Sequence, residues 1–163
     1  MLKIFISDID DTLTSGIKTL VGGKMEKQFN NADIQALRLL QKKGIYVILL
    51  TSIKGGINDK RGMELIKAGI INQLIHSGEK EKDVQQIANQ NLLKIPWSVA
   101  FVGDHMNDYK AMRLISKNKG LIACPSNAIN AVKELPGIYQ TKQKGGYGAV
   151  SEFITYLASR GLI

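Results

Sequence analysis

The chain has little of what disulfide frameworks, membrane anchors and metal fingers are made from. Its 163 residues include one cysteine, Cys124, three prolines and two histidines. A lone thiol excludes an intrachain disulfide, and so few His and Cys residues exclude an ordinary zinc site. No apolar run approaches the ~20 residues that span a bilayer. The N-terminus has no basic stretch followed by an apolar run and a cleavage site, so it reads as a strand rather than a leader. Together these absences favour the cytoplasm. Arginine is also scarce, four against 18 lysines, in a chain of net charge +8. The lysines are scattered, with no block of five or six like charges. Bidentate readout of bases or phosphates favours arginine. The charge therefore implies a general attraction for anionic ligands, and nucleic acid only weakly.

What is present is an alternation of short apolar runs with amphipathic stretches. Ile4 to Ile6, Ile45 to Leu50, Ile70 to Ile75, Ser98 to Val102, Leu121 to Cys124 and a last short run at Gly137 to Tyr139 read as strands. Helical spacing falls between them: after the Asn30-Asn31 cap, from about Asp59 to Lys67, from about Glu79 to Asn91, after Asp108, from Ala128 to Lys133, and from Ala149 to Ala158. Such alternation predicts βαβ units and a parallel sheet, an α/β fold of the Rossmann-like, three-layer α/β/α kind. Gly22-Gly23 between two short runs predicts a β-hairpin over about residues 16–30, projecting from the end of the first strand. The length suits one domain over residues 1–163.

The first strand runs into Asp8-Ile9-Asp10-Asp11-Thr12-Leu13-Thr14. Two acids at i and i+2 on extended chain repel unless a cation lies between them, and Mg²⁺ suits hard oxygen ligands. Three further strand ends carry polar residues: Thr51-Ser52, Lys82 at the next helix start, and Gly103-Asp104 with Asn107 and Asp108. Taken singly, Thr51 or Ser52 is an ordinary turn residue, Lys82 a solvated lysine and Asp104 a turn acid. In a parallel sheet all these ends share one edge and converge. The convergent set suits phosphoryl transfer through an aspartate. That chemistry needs a carboxylate nucleophile, an acid/base, a metal and fixed donors for the phosphoryl oxygens. Asp8, Asp10, Mg²⁺ with Asp104, and Thr51 with Lys82 fill those roles. Receiver domains use similar parts, but their phosphorylated Asp follows the third strand, where this chain has His76-Ser77.

With these motifs the chain resembles the haloacid dehalogenase (HAD) superfamily of phosphatases. Asp8 to Thr14, Thr51, Lys82 and Gly103-Asp104-x-x-x-Asp108 look like its four motifs. The resemblance implies Asp8 as nucleophile and Asp10 as general acid/base. It implies Mg²⁺ on the Asp8 carboxylate, the Asp10 carbonyl and Asp104, with Asp108 behind them supporting Lys82 or the metal. The hairpin, Asp33, Arg61, Gly78-x-x-x-Lys82 and the tail Gly145-Gly146-Tyr147-Gly148 resemble the group without a cap domain that hydrolyses 3-deoxy-D-manno-octulosonate 8-phosphate. Nonulosonate 9-phosphate phosphatases and the C-terminal module of acylneuraminate cytidylyltransferases are related. The group implies a phosphorylated sugar acid as substrate, in lipopolysaccharide or sialic acid biosynthesis. It also implies a homotetramer joined through the hairpins, in which Asp33, Arg61, Gly146 and Gly148 would serve substrate or a neighbour's site. The chain departs from the group at Ile53, a position that contacts substrate in the group, at Ser151, where the tail usually has an arginine, at Asp11, where glycine is common, and at His105, where an acid is common. The altered Ile53 and Ser151 leave room for an interaction module with reduced catalysis, and the lack of a cap with the +8 charge leaves room for a phosphatase of nucleic-acid or other macromolecular ends.

Overall fold

The computed structural model describes residues 1–163. Six strands form one sheet: β1 (Ile4–Ser7), β4 (Tyr46–Thr51), β5 (Gln73–His76), β6 (Val99–Val102), β7 (Leu121–Cys124) and β8 (Ile138–Gln140). The order is β5-β4-β1-β6-β7-β8, and every pairing is parallel. The chain builds outward from β1 through β4 to β5, then returns to lay β6 on the other side of β1. That reversal is the topological switch point, where open α/β sheets form their ligand crevice. β2 (Thr19–Val21) and β3 (Lys24–Glu26) make the expected hairpin as a separate antiparallel pair.

Helices cover both faces, because strands of continuous apolar residues must be buried on both sides. Against one face lie α1 (Asn31–Lys42), α2 (Gly56–Lys67) and α6 (Ala149–Ser159); their Leu37, Leu40, Leu65 and Phe153 pack on Phe5, Val47 and Leu49. Against the other lie α3 (Lys80–Gln90), α4 (Met106–Lys117) and α5 (Asn130–Lys133); Val84, Ile87, Met112 and Ile115 pack on Ile4, Ile6, Ile48 and Phe101. No helix is long and apolar enough to cross a membrane.

Most boundaries differ from expectation by a residue or two. α2 differs more, starting at Gly56 rather than near Asp59. Gly55 and Gly56 both have positive φ, 83° and 70°. The glycine pair is thus the tight entry into a helix. The two ends of the chain meet, the Leu2 N–H donating to the Leu162 carbonyl at 2.8 Å.

Candidate active site

Asp8 is the first residue past β1, and its backbone N–H still bonds the Val102 carbonyl of β6 at 3.0 Å. Asp104 lies two residues past β6. The sheet register therefore brings the two carboxylates together across 96 positions of sequence. Asp8, Asp104 and Asp108 are all buried, and one carboxylate oxygen of each lies within 4.8 Å of the others. Thr12 donates to Asp104 Oδ1 at 2.9 Å. Asp108, in the first turn of α4, accepts the backbone N–H groups of Asp104 (3.0 Å) and His105 (3.2 Å) on Oδ2. This is the reach-back of a helix-start acid that caps its own helix.

The lysine of the site is Lys80. Its Nζ donates to Asp8 Oδ1 and Asp108 Oδ1, each at 2.6 Å, and the residue is 2% exposed. Lys82, the lysine expected here, is exposed in the first turn of α3 and paired with Glu79. Helical phase explains the correction. Lys80 shares a face with Val84 and Ile87, four and seven residues on, which pack on the sheet; Lys82 is turned away. The apolar stripe was in the sequence and would have selected Lys80.

Three carboxylates against one ammonium leave the cluster short of positive charge. Burial, then the nearby charge of Asp108, raises the Asp8 carboxyl well above its usual range, with Lys80 opposing. The same two causes raise Asp104 to about 6. Burial pulls Lys80 down, but Asp8 and Asp108 more than offset it, so its net shift is upward. A divalent cation answers such a deficit. The donors fit one: Asp8 Oδ2 and Asp104 Oδ2 accept no hydrogen bond from the protein, and both are hard oxygens. Asp108 has both oxygens engaged by Lys80 and the backbone, so it orients rather than ligates.

Asp10 is held differently. Lys27, just past β3, bonds Asp10 Oδ1; the Asn58 amide of α2 donates to Asp10 Oδ2 at 2.9 Å and to Thr51 Oγ1 at 3.3 Å. Neither Lys27 nor Asn58 is legible as a site residue, because a lysine after a hairpin and an asparagine in a helix read as surface. Thr51 is buried at the end of β4; Ser52 beyond it accepts from Asn107 Nδ2 at 2.8 Å. These residues surround a cleft of about 150 Å³ lined by Asp8, Asp10, Asp11, Thr51, Ser52, Ile53, Asp104, His105 and Asn107. A hollow of about 240 Å³ adjoins it between the starts of α3 and α4, but no carboxylate of the cluster lines that hollow.

Four residues expected at substrate or tail lie outside the cleft walls. Asp33 is fully buried in α1 and accepts the Ser151 N–H at 2.7 Å, at the start of α6. It ties two helices together and is out of a ligand's reach. Arg61 pairs with Glu26 of the hairpin and with Glu64. Gly146 donates to the Thr12 carbonyl at 3.0 Å, and a Cβ there would lie 2.2 Å from Ser15 N. Gly148 caps α6 with φ 100°. Within one chain the tail packs under its own Asp11 to Ser15 loop.

The sheet order and the comparisons together define the fold. The chain has the HAD-superfamily fold, with the carboxylates at its switch point. A Legionella pneumophila protein assigned to the HAD superfamily (subfamily III A hydrolases) superposes with a TM-score of 0.81 at 26% identity, over 98% of this chain and 84% of that one. The 3-deoxy-D-manno-octulosonate 8-phosphate phosphatase of Moraxella catarrhalis, solved with magnesium, phosphate and KDO, gives 0.80 at 24% identity over 97% and 86%. The cobalt-bound deoxy-D-mannose-octulosonate 8-phosphate phosphatase of Haemophilus influenzae gives 0.79 at 23% over 98% and 90%. Among curated proteins, N-acylneuraminate cytidylyltransferase B of Danio rerio is 28% identical over 97% of this chain and 36% of its own length. The chain thus spans about a third of that relative. No family model matches.

Proposed function

We propose that the protein is a phosphomonoesterase that works through an aspartyl phosphate, aided by a divalent metal, Mg²⁺ in the first instance. The observation that carries this reading is the buried Asp8–Lys80–Asp108 contact beside Asp104 at the switch point. Asp8 and Asp104 carboxylates and the Asp10 carbonyl would hold the metal. Bound there, it would supply positive charge that lets an anionic phosphate approach an anionic nucleophile.

The chain's own groups account for the steps. Lys80 fixes the Asp8 carboxylate through Oδ1, and that carboxylate attacks phosphorus. As the bond from phosphorus to the leaving oxygen breaks, Asp10 gives that oxygen its proton. Asp10 then takes a proton from water, which attacks the phosphoryl group and frees Asp8 and inorganic phosphate. Thr51 and Ser52, at the cleft wall, hold the phosphoryl oxygens. Asn107 steadies Ser52.

The proposed substrate is a small phosphorylated sugar acid of the octulosonate or nonulosonate type. Support comes from the two octulosonate 8-phosphate phosphatases sharing the fold and from the acylneuraminate enzyme among the relatives. We place the chemistry in a domain without a cap, and in a homotetramer. The hairpin motivates the second point, since Ile17, Leu20, Val21 and Met25 are exposed there. A native mass of one chain would remove it.

The deciding experiment is a turnover screen of phosphorylated sugars and sugar acids with Mg²⁺, with Asp8→Asn and EDTA alongside. Both treatments are expected to abolish phosphate release. Full activity of purified Asp8→Asn refutes the mechanism.

A further inference from the structure

Lys27 is a lysine at 3% exposure, and lysines are almost never fully buried unless paired. Removing an ammonium from water is costly unless partners inside the protein replace the lost solvent. Here the partners are Asp10 and Asn58 Oδ1, the latter at 2.9 Å. Asn58 is 2% exposed, and its amide closes the ring by donating to Asp10 Oδ2. Each oxygen of the Asp10 carboxylate therefore has one donor, from two different elements. Through the same amide, Asp10 is tied to Thr51. Asp11, one residue on, is exposed, and no side-chain donor from the protein reaches its carboxylate. The grip is specific to the carboxylate facing the reaction.

We infer that Lys27 and Asn58 are positioning residues that aim the Asp10 carboxylate at the leaving oxygen and, through Lys27, make the root of the hairpin part of the active site. The inference rests on the proposed role of Asp10 as acid/base. A carboxylate on two freely rotating bonds sweeps a wide arc, and a displacement of about 1 Å costs on the order of a hundredfold in rate. Two donors on opposite oxygens remove that freedom. The Asn58 amide is the contact able to yield when a leaving group arrives, since it has Thr51 as a second acceptor. Lys27 stays, anchored in the protein interior.

The test uses single turnovers with enzyme in excess over phosphate ester, reading alcohol release from p-nitrophenyl phosphate and from an alkyl phosphate. The p-nitrophenolate ion leaves without a proton; an alkoxide does not. If Lys27 aims the acid, Lys27→Met slows the alkyl ester about tenfold to a hundredfold. The p-nitrophenyl ester then stays within about threefold of wild type, and Lys27→Arg recovers most of the alkyl rate. Equal slowing of both esters, or no slowing of either, overturns the inference, because a purely structural lysine cannot distinguish leaving groups. Should Lys27→Met fail to fold, Asn58→Ala is judged by the same ratio of rates. Loss of the Thr51 contact acts on both esters alike and cancels in that ratio. Asp10→Asn is run in parallel. If it leaves the alkyl rate intact, the acid/base reading itself has failed, whatever the Lys27 result.

Discussion

Replacing Lys80 by methionine is the most informative single change. Methionine fills nearly the same volume and removes only the ammonium. In the folded protein that ammonium lies 2.6 Å from Asp8 and 2.6 Å from Asp108, which are 5% and 0% exposed. Breaking a buried pair from one side costs about 3–5 kcal/mol, because the other charge is left uncompensated. Against a total stability of about 5–15 kcal/mol, the fold survives but weakens. At a urea slope of about 2 kcal/mol per molar, the midpoint falls by about 2 M. The loss also depends on pH, and its sign is fixed. The native cluster holds the Asp8 and Asp104 carboxyls above their unfolded values, so the unfolded chain binds fewer protons through that range and stability declines as pH rises. Without Lys80 the decline steepens. The variant is thus hurt more near about pH 8 than near about pH 5, where the carboxyls take up protons instead. The assay is urea unfolding by circular dichroism at both pH values, beside phosphate release. Lys82→Met is the control: its charge is in solvent, so its midpoint and turnover stay at the wild-type values. Equal effects of the two substitutions, or a damaging Lys82→Met beside a silent Lys80→Met, would refute the reasoning from burial.

Three further outcomes are expected. Magnesium raises the melting temperature more at about pH 8 than at about pH 5, since Asp104, raised to about 6, keeps its proton in acid and the cation has to displace it; calorimetry with and without saturating MgCl₂ measures the difference. Asp33→Ala destabilises by about 1–2 kcal/mol by uncapping α6, while KM for substrate holds; a raised KM with unchanged stability would return Asp33 to the substrate. Gly145→Ala places a Cβ 1.7 Å from the Asp11 carbonyl oxygen, so the Asp8 to Thr12 loop must shift and kcat falls by about a hundredfold; unchanged kcat would show that the loop is not braced by the tail.

The fold and the carboxylates were legible because they rest on local signals. Apolar runs mark strands, alternation marks a parallel sheet, and acids at strand ends must then share an edge. Motif spacing points two positions too far, to Lys82; helical phase, carried by Val84 and Ile87, points to Lys80. Lys27 and Asn58 were beyond such reading. Their burial comes from how the hairpin root and α2 meet above β4, a tertiary event with no periodic trace in the sequence. Asp33 is the reverse case: the resemblance points it at substrate or tail, and within one chain the structure spends it on the start of α6.

The bond from Leu2 to Leu162 has a consequence for how such a domain travels between proteins. Its two ends emerge side by side, on the side of the sheet away from the carboxylate cluster. A partner domain attached at either end would leave through the same doorway and keep clear of the cleft. Joining the ends with a short linker and reopening the chain at an exposed turn, such as Gly22-Gly23, would preserve the sheet order.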